Sequence, residues 1–196
     1  MSGPAHKLAP MKPRAFDPLR LDVAAFADQG ASLSGTWPLV TLPRLAAGEP
    51  AEPPGGPAPP VAWSVRGERR PVRGAEPEPW LHLQVSARLH LECQRCLKPV
   101  ETTLEVDRLL RFVADEATAA SLDADSEDDV LALSRALDLR ELAEDELLLA
   151  LPLVPRHERC PEPLALPGEV PAEAAPAGRP SPFAVLARLK EPGAKH

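Results

Sequence analysis

The sequence predicts an α+β fold: an antiparallel sheet of about four strands carrying one main helix, tied by a zinc knuckle, with proline-rich loops and a proline-rich tail. Three observations predict it. Apolar and polar residues alternate from Leu81 to Glu92. A capped amphipathic segment runs from Asp138 to Pro152. All three cysteines fall in two short motifs, Cys93-Gln94-Arg95-Cys96 and His157-Glu158-Arg159-Cys160.

Taken in order, residues 18–28 predict a short helix ending near Gly30. Leu33, Trp37 and Leu39 share a parity, as do Val61, Trp63 and Val65, which predicts two strands joined by the proline-rich stretch 49–60. Pro38 cannot donate to a ladder, so the first of these is an edge or irregular strand. From Leu81, the residues Leu81, Leu83, Val85, Ala87, Leu89 and Leu91 alternate with polar ones. Val100, Leu104, Val106, Leu110 and Phe112 repeat the parity beyond the CxxC, so the pair reads as an antiparallel hairpin with both thiols at its tip. Residues 115–129 hold seven acids and no base, and predict a mobile loop. Asp138 and Glu141 form a capping box for a helix whose Leu139, Leu142, Ala143, Leu147 and Ala150 share one face, with Pro152 ending it. Its acids Glu144, Asp145 and Glu146 read as a solvated face, with a partner-docking face as the alternative.

These elements predict a single domain over residues 1–160, including the acidic loop, followed by a proline-rich tail, 161–196. The tail ends in a short amphipathic segment bearing Phe183, Leu186 and Leu189. No apolar run reaches membrane-spanning length and the N-terminus has no secretory pattern, which predicts a cytoplasmic protein without a membrane partner. Three cysteines make a poor disulfide framework and suit a reducing compartment. The net charge of −7 comes from the acidic segment alone. Basic residues cluster at Lys7, Lys12, Arg14 and Arg20, at Arg66, Arg69, Arg70 and Arg73, and in the tail at Arg179, Arg188, Lys190 and Lys195. Solvated surface charge is the alternative to phosphate contact for each. Tyrosine is absent, which argues against a sheet that stacks bases on exposed rings.

Cys93, Cys96, His157 and Cys160 form a candidate set for one structural zinc. The CxxC is carried by the hairpin and the second pair follows the helix directly through Pro152 to Pro155, so one ion would pin helix to sheet. Four protein ligands leave no position open for water or substrate, which favours a structural role. His157 sits in a loop, where a surface histidine is the alternative to a ligand.

Several segments resemble the YceD family, the large ribosomal RNA subunit accumulation proteins. They are Leu91-Glu92-Cys93-Gln94-Arg95-Cys96-Leu97-Lys98-Pro99-Val100, the helix 138–152 with its exit Leu153-Val154-Pro155-Arg156-His157, the closing stretch from Pro182 to Lys190, and Phe16-Asp17-Pro18-Leu19-Arg20 followed by Gly30 and Gly35. The resemblance implies a bacterial, non-enzymatic factor supporting synthesis, processing or stability of large-subunit ribosomal RNA. It implies precursor large-subunit ribosomal RNA or an early large-subunit ribosomal protein as partner, and no small-molecule substrate. Family members with more cysteines after the helix look like zinc binders; this chain has only His157 and Cys160 there. Arg66, Arg69, Arg70 and Arg73, with Arg95 and Lys98 at the tip, are the candidate phosphate contacts.

Three other functions compete. A thiol oxidoreductase would use Cys93 and Cys96, but its CxxC normally opens a helix, and here it follows a strand. A ribonuclease would draw on His82 and His90, which lie roughly 26 Å apart on one strand, too far to share a scissile bond. A zinc-stabilised protein-interaction module without RNA contact would dock through Phe183, Leu186 and Leu189.

Overall fold

The computed structural model describes residues 15–124, 126 and 129–161. Its elements are α1 (Val23–Asp28), β1 (Ser32–Trp37), a 3-10 turn (Leu39–Thr41), α2 (Pro43–Ala46), β2 (Val61–Arg70), β3 (Glu78–Glu92), β4 (Pro99–Val113), α3 (Glu116–Asp123), β5 (Asp129–Ala132) and α4 (Leu139–Leu149). The strands form one sheet in chain order, antiparallel from β1 to β4, with β5 parallel to β4. The fold is α+β as predicted, with five strands rather than about four.

The long hairpin is the frame of the fold. β3 and β4 pair from Trp80 with Arg111 to Glu92 with Pro99. This register sets Leu81, Leu83, Val85, Ala87, Leu89 and Leu91 on one face with Leu104, Val106, Leu110 and Phe112, all buried. Leu39 of the 3-10 turn, Leu42 at the N-cap of α2, Leu45 of α2, Val23 and Phe26 of α1, and Leu139, Ala143 and Leu147 of α4 complete this core. Each fully buried leucine contributes about 1.5–3 kcal/mol relative to exposure. Gly67 of β2 lets α1 approach: a Cβ there would lie 2.6 Å from Phe26 and 3.0 Å from the Ala27 backbone. The opposite face of the sheet carries polar residues such as Gln84, Ser86, Glu105 and Asp107, all exposed.

The N-terminal helix is shorter than predicted. Arg20 N–H closes a turn on Asp17 O, Leu21 bridges to Leu137, and only then does Asp22 cap α1 by accepting from Ala25 N–H. Gly30, with φ +55°, takes the chain out of it. β1 is an edge strand that stops before Pro38, as its proline predicts.

Two expectations are corrected. The described residues of the acidic stretch 115–129 are not a featureless loop; residues 125, 127 and 128 lie outside the described residues. Asp115 caps α3 by accepting from Thr118 N–H at 2.8 Å, and Asp129 opens the fifth strand. Ala119 of α3 and Val130 of β5 are buried against Val113. Acid density therefore coexists with order, because a few apolar residues at the right positions meet the free edge of β4. Nor are the acids of α4 all solvated. Glu144 and Glu146 are 5% and 8% exposed. Glu144 Oε1 accepts from the backbone N–H groups of Arg44 and Leu45 at 2.7 and 3.1 Å, and Arg44 Nε donates to its Oε2 at 3.0 Å. Glu146 pairs with Arg108 at 3.2 Å. The tail expected over 161–196, its segment at Phe183, Leu186 and Leu189, its basic residues, and Lys7, Lys12 and Arg14 lie outside the described residues, apart from Pro161.

Candidate metal centre

The CxxC occupies the hairpin tip. Cys93 follows β3 directly, and Pro99 opens β4 three residues after Cys96. Cys93 N–H donates to Lys98 O at 3.0 Å and Leu97 N–H to Cys93 O at 2.8 Å, which closes a tight turn around the two thiols. The turn requires Leu97 to adopt φ +58°, a left-handed conformation costly for a leucine. α4 ends at Leu149, and Pro152 prevents its continuation. The chain then returns to the tip, where Gln94 N–H donates to Pro155 O at 2.9 Å. That bond delivers His157 and Cys160 to the CxxC.

The four candidate ligand atoms lie within 4.8 Å of one another. Cys93 Sγ is 3.9 Å from Cys160 Sγ, and Cys96 Sγ is 3.5 Å from His157 Nδ1. A tetrahedral zinc would hold sulfur pairs about 3.8 Å apart and sulfur–nitrogen pairs about 3.5 Å apart. The residues therefore fit a metal ion. His157 Nε2 lies 3.0 Å from Pro99 O. A carbonyl only accepts, so Nε2 carries the proton and Nδ1 presents its lone pair to the cluster. This geometry favours His157 as a ligand over a loose surface histidine.

The electrostatics favour thiolate at Cys93 and oppose it at Cys96. Burial pushes the Cys93 thiol up, but backbone N–H groups of Arg95, His157 and Cys96 and the His157 side chain outweigh it and bring the pKa down to about 5. Burial raises the pKa of Cys96, opposed by the Lys98 backbone N–H, with Cys160 and Cys93 adding to the rise. Arg95 closes the far side: its Nε donates to Cys160 Sγ at 3.1 Å, and its terminal nitrogen donates to the carbonyls of His157 and Glu158. Sequence spacing gives no signal for these supporting contacts, since Arg95 and Pro99 meet residues about 60 positions away only after folding.

The other predicted cations are dispersed. Arg69 donates to Asp28 and to Pro77 O. Arg70 pairs with Glu68 and lies 4.3 Å over the Trp80 ring. Arg66, on the same sheet face as Arg70, reaches Glu68 at 3.6 Å with its side chain 61% exposed. Arg73 and Lys98 are exposed in loops. Of the histidines, His82 Nε2 is bonded to Asp107 at 2.6 Å.

An antiparallel sheet whose hairpin tip meets a helix exit at a Cys3His cluster able to hold a metal ion defines a small α+β protein with a candidate metal knuckle. Within that class, the family model for "Large ribosomal RNA subunit accumulation protein YceD" matches residues 81–190, and the chain belongs to the YceD family. It is similar to the protein of that description from Haemophilus influenzae, with 40% identity over 112 residues, covering 55% of this chain and 63% of the relative. The match thus spans less than two thirds of the length of that relative. No solved structure matches the chain.

Proposed function

We propose that this chain is a non-enzymatic, cytoplasmic ribosome-biogenesis factor that supports synthesis, processing or stability of large-subunit ribosomal RNA by engaging the precursor RNA. Membership of the YceD family carries the reading, because that family is named for accumulation of this RNA. Among the described residues no helix is long and apolar enough to cross a membrane. A structural zinc, held by Cys93, Cys96, His157 and Cys160, supports the fold by joining hairpin to helix exit. Four ligands saturate a tetrahedral ion and leave no site for a reacting water, which supports a role without catalysis. The low pKa of Cys93 suits a metal ligand as well as a redox thiol. A Cys93→Ser chain that loses metal without any reductase activity having been present in the parent removes the oxidoreductase reading.

The test is ultraviolet crosslinking of the tagged chain in cells, followed by sequencing of the attached RNA. Crosslinks concentrated in precursor large-subunit RNA are expected. A chain that crosslinks to no RNA, yet co-purifies with a large-subunit ribosomal protein, overturns the direct RNA reading in favour of a protein partner.

A further inference from the structure

The knuckle brings together charges that sequence spacing keeps apart. Its two loops, 94–98 and 153–160, hold Arg95, Lys98, Arg156 and Arg159 against the single acid Glu158, in a chain that carries a net charge of −7. Arg156 and Arg159 are exposed, as is Lys98. Arg95, Arg156, His157 and Glu158 line a shallow cleft beside the metal cluster. Arg95 is committed to Cys160 and the loop carbonyls, which leaves Arg156 and Arg159 as the outward guanidinium groups.

The same loops expose large aliphatic side chains. Leu97 is 56% exposed, Val154 57%, and Leu153 fully exposed. Leu97 holds its side chain outward from a left-handed backbone position where glycine or asparagine would sit without strain. Among the described residues this exposed leucine, at a strained turn beside Lys98, is not covered by packing.

We propose that the knuckle is the RNA-docking surface of this protein: Arg156 and Arg159, with Lys98, contact phosphates, and Leu97 packs against an unstacked nucleobase. The inference rests on the reading above and locates its site. Cations select a polyanion, and an aliphatic side chain beside them selects one that offers an apolar base face, as single-stranded RNA does. The hydrogen bonds of Gln94 to Pro155 and of Arg95 to His157 and Glu158 hold the two loops in register, so the surface exists only when hairpin and helix exit are joined.

The experiment uses the full-length, zinc-loaded chain and fragmented transcripts of precursor large-subunit ribosomal RNA, with affinity measured across a salt series. Arg156→Ala with Arg159→Ala is expected to weaken binding about tenfold and to reduce the slope of log affinity against log salt by about 1.4, two single-strand phosphate contacts' worth. Zinc content and melting temperature should not change, because both side chains are exposed. Arg156→Lys with Arg159→Lys should keep the salt slope. Leu97→Asn, which suits the left-handed turn, should weaken binding several-fold and leave the slope unaltered, since an apolar contact releases no counterions. Wild-type affinity and slope in the double alanine variant and wild-type affinity in Leu97→Asn would overturn the knuckle as the site while leaving RNA binding intact. A parent chain that binds no transcript but binds a large-subunit ribosomal protein would overturn both.

Discussion

At the scale of single residues, two side chains hold positions their local sequence does not advertise. Glu144 reads as one acid in a run of three, yet its carboxylate replaces the missing N-cap of α2, where Leu42 offers no side-chain oxygen. Glu144→Ala strips two backbone donors and the Arg44 guanidinium of their acceptor, and is expected to cost about 2–4 kcal/mol in urea unfolding. Asp145→Ala, whose carboxylate is half exposed and pairs with the exposed Arg44, should cost well under half of that. Leu97 is the converse case. Relieving its left-handed strain with Leu97→Gly is expected to stabilise the fold by about 0.5–1 kcal/mol, read as a higher denaturation midpoint, while β-branched Leu97→Val should lower it. A CxxC motif shows where thiols stand, but which residue must bend backwards around them emerges only from the closed turn.

At the scale of elements, hydrophobic periodicity made the hairpin and α4 legible, because a period of two or of 3.6 survives whatever the rest of the chain does. The same reasoning failed for α3 and β5. Their apolar signal is three or four residues within an acidic stretch, and β5 gains its hydrogen bonds from the edge of β4 rather than from its own propensity. α3 depends on its cap. Accepting the Thr118 backbone and side-chain donors holds the Asp115 carboxyl below the usual carboxylate range. Its contribution is therefore present above the unfolded pKa of about 3.9 and is lost as pH falls through the lower folded value. Amide exchange of Thr118 to Asp123 should accelerate in that acid window, and Asp115→Ala should abolish the pH dependence. Close approach between elements gives a second expectation. Gly67→Ala places a methyl against Phe26 and the Ala27 backbone, and should destabilise by about 1–3 kcal/mol as α1 is lifted from β2. Gly48→Ala, with looser surroundings, is the control.

At the scale of the whole molecule, the candidate ligand cluster brings together segments about 60 residues apart, at the hairpin tip and beyond the exit of α4. One zinc per chain is expected by elemental analysis. Removing it with a strong chelator should raise hydrogen exchange first in residues 153–160 and at the hairpin tip, with β2 and the body of the β3–β4 hairpin protected until global unfolding. Cys160→Ser should reproduce this loss, and uniform exchange after chelation would refute the local role. The sequence by itself determined the α+β class, the long hairpin, the capped α4, the four candidate ligands and the family, because each is carried by neighbouring residues or by a fixed spacing. Tertiary structure alone decided the fifth strand, the burial of Glu144 and Glu146, the lock of His157 on Pro99, the commitment of Arg95 to Cys160 and the meeting of Arg95 and Arg156 at one cleft. These depend on contacts between residues far apart in the chain, and distance along a chain says nothing of distance in space until packing against a common core has fixed it.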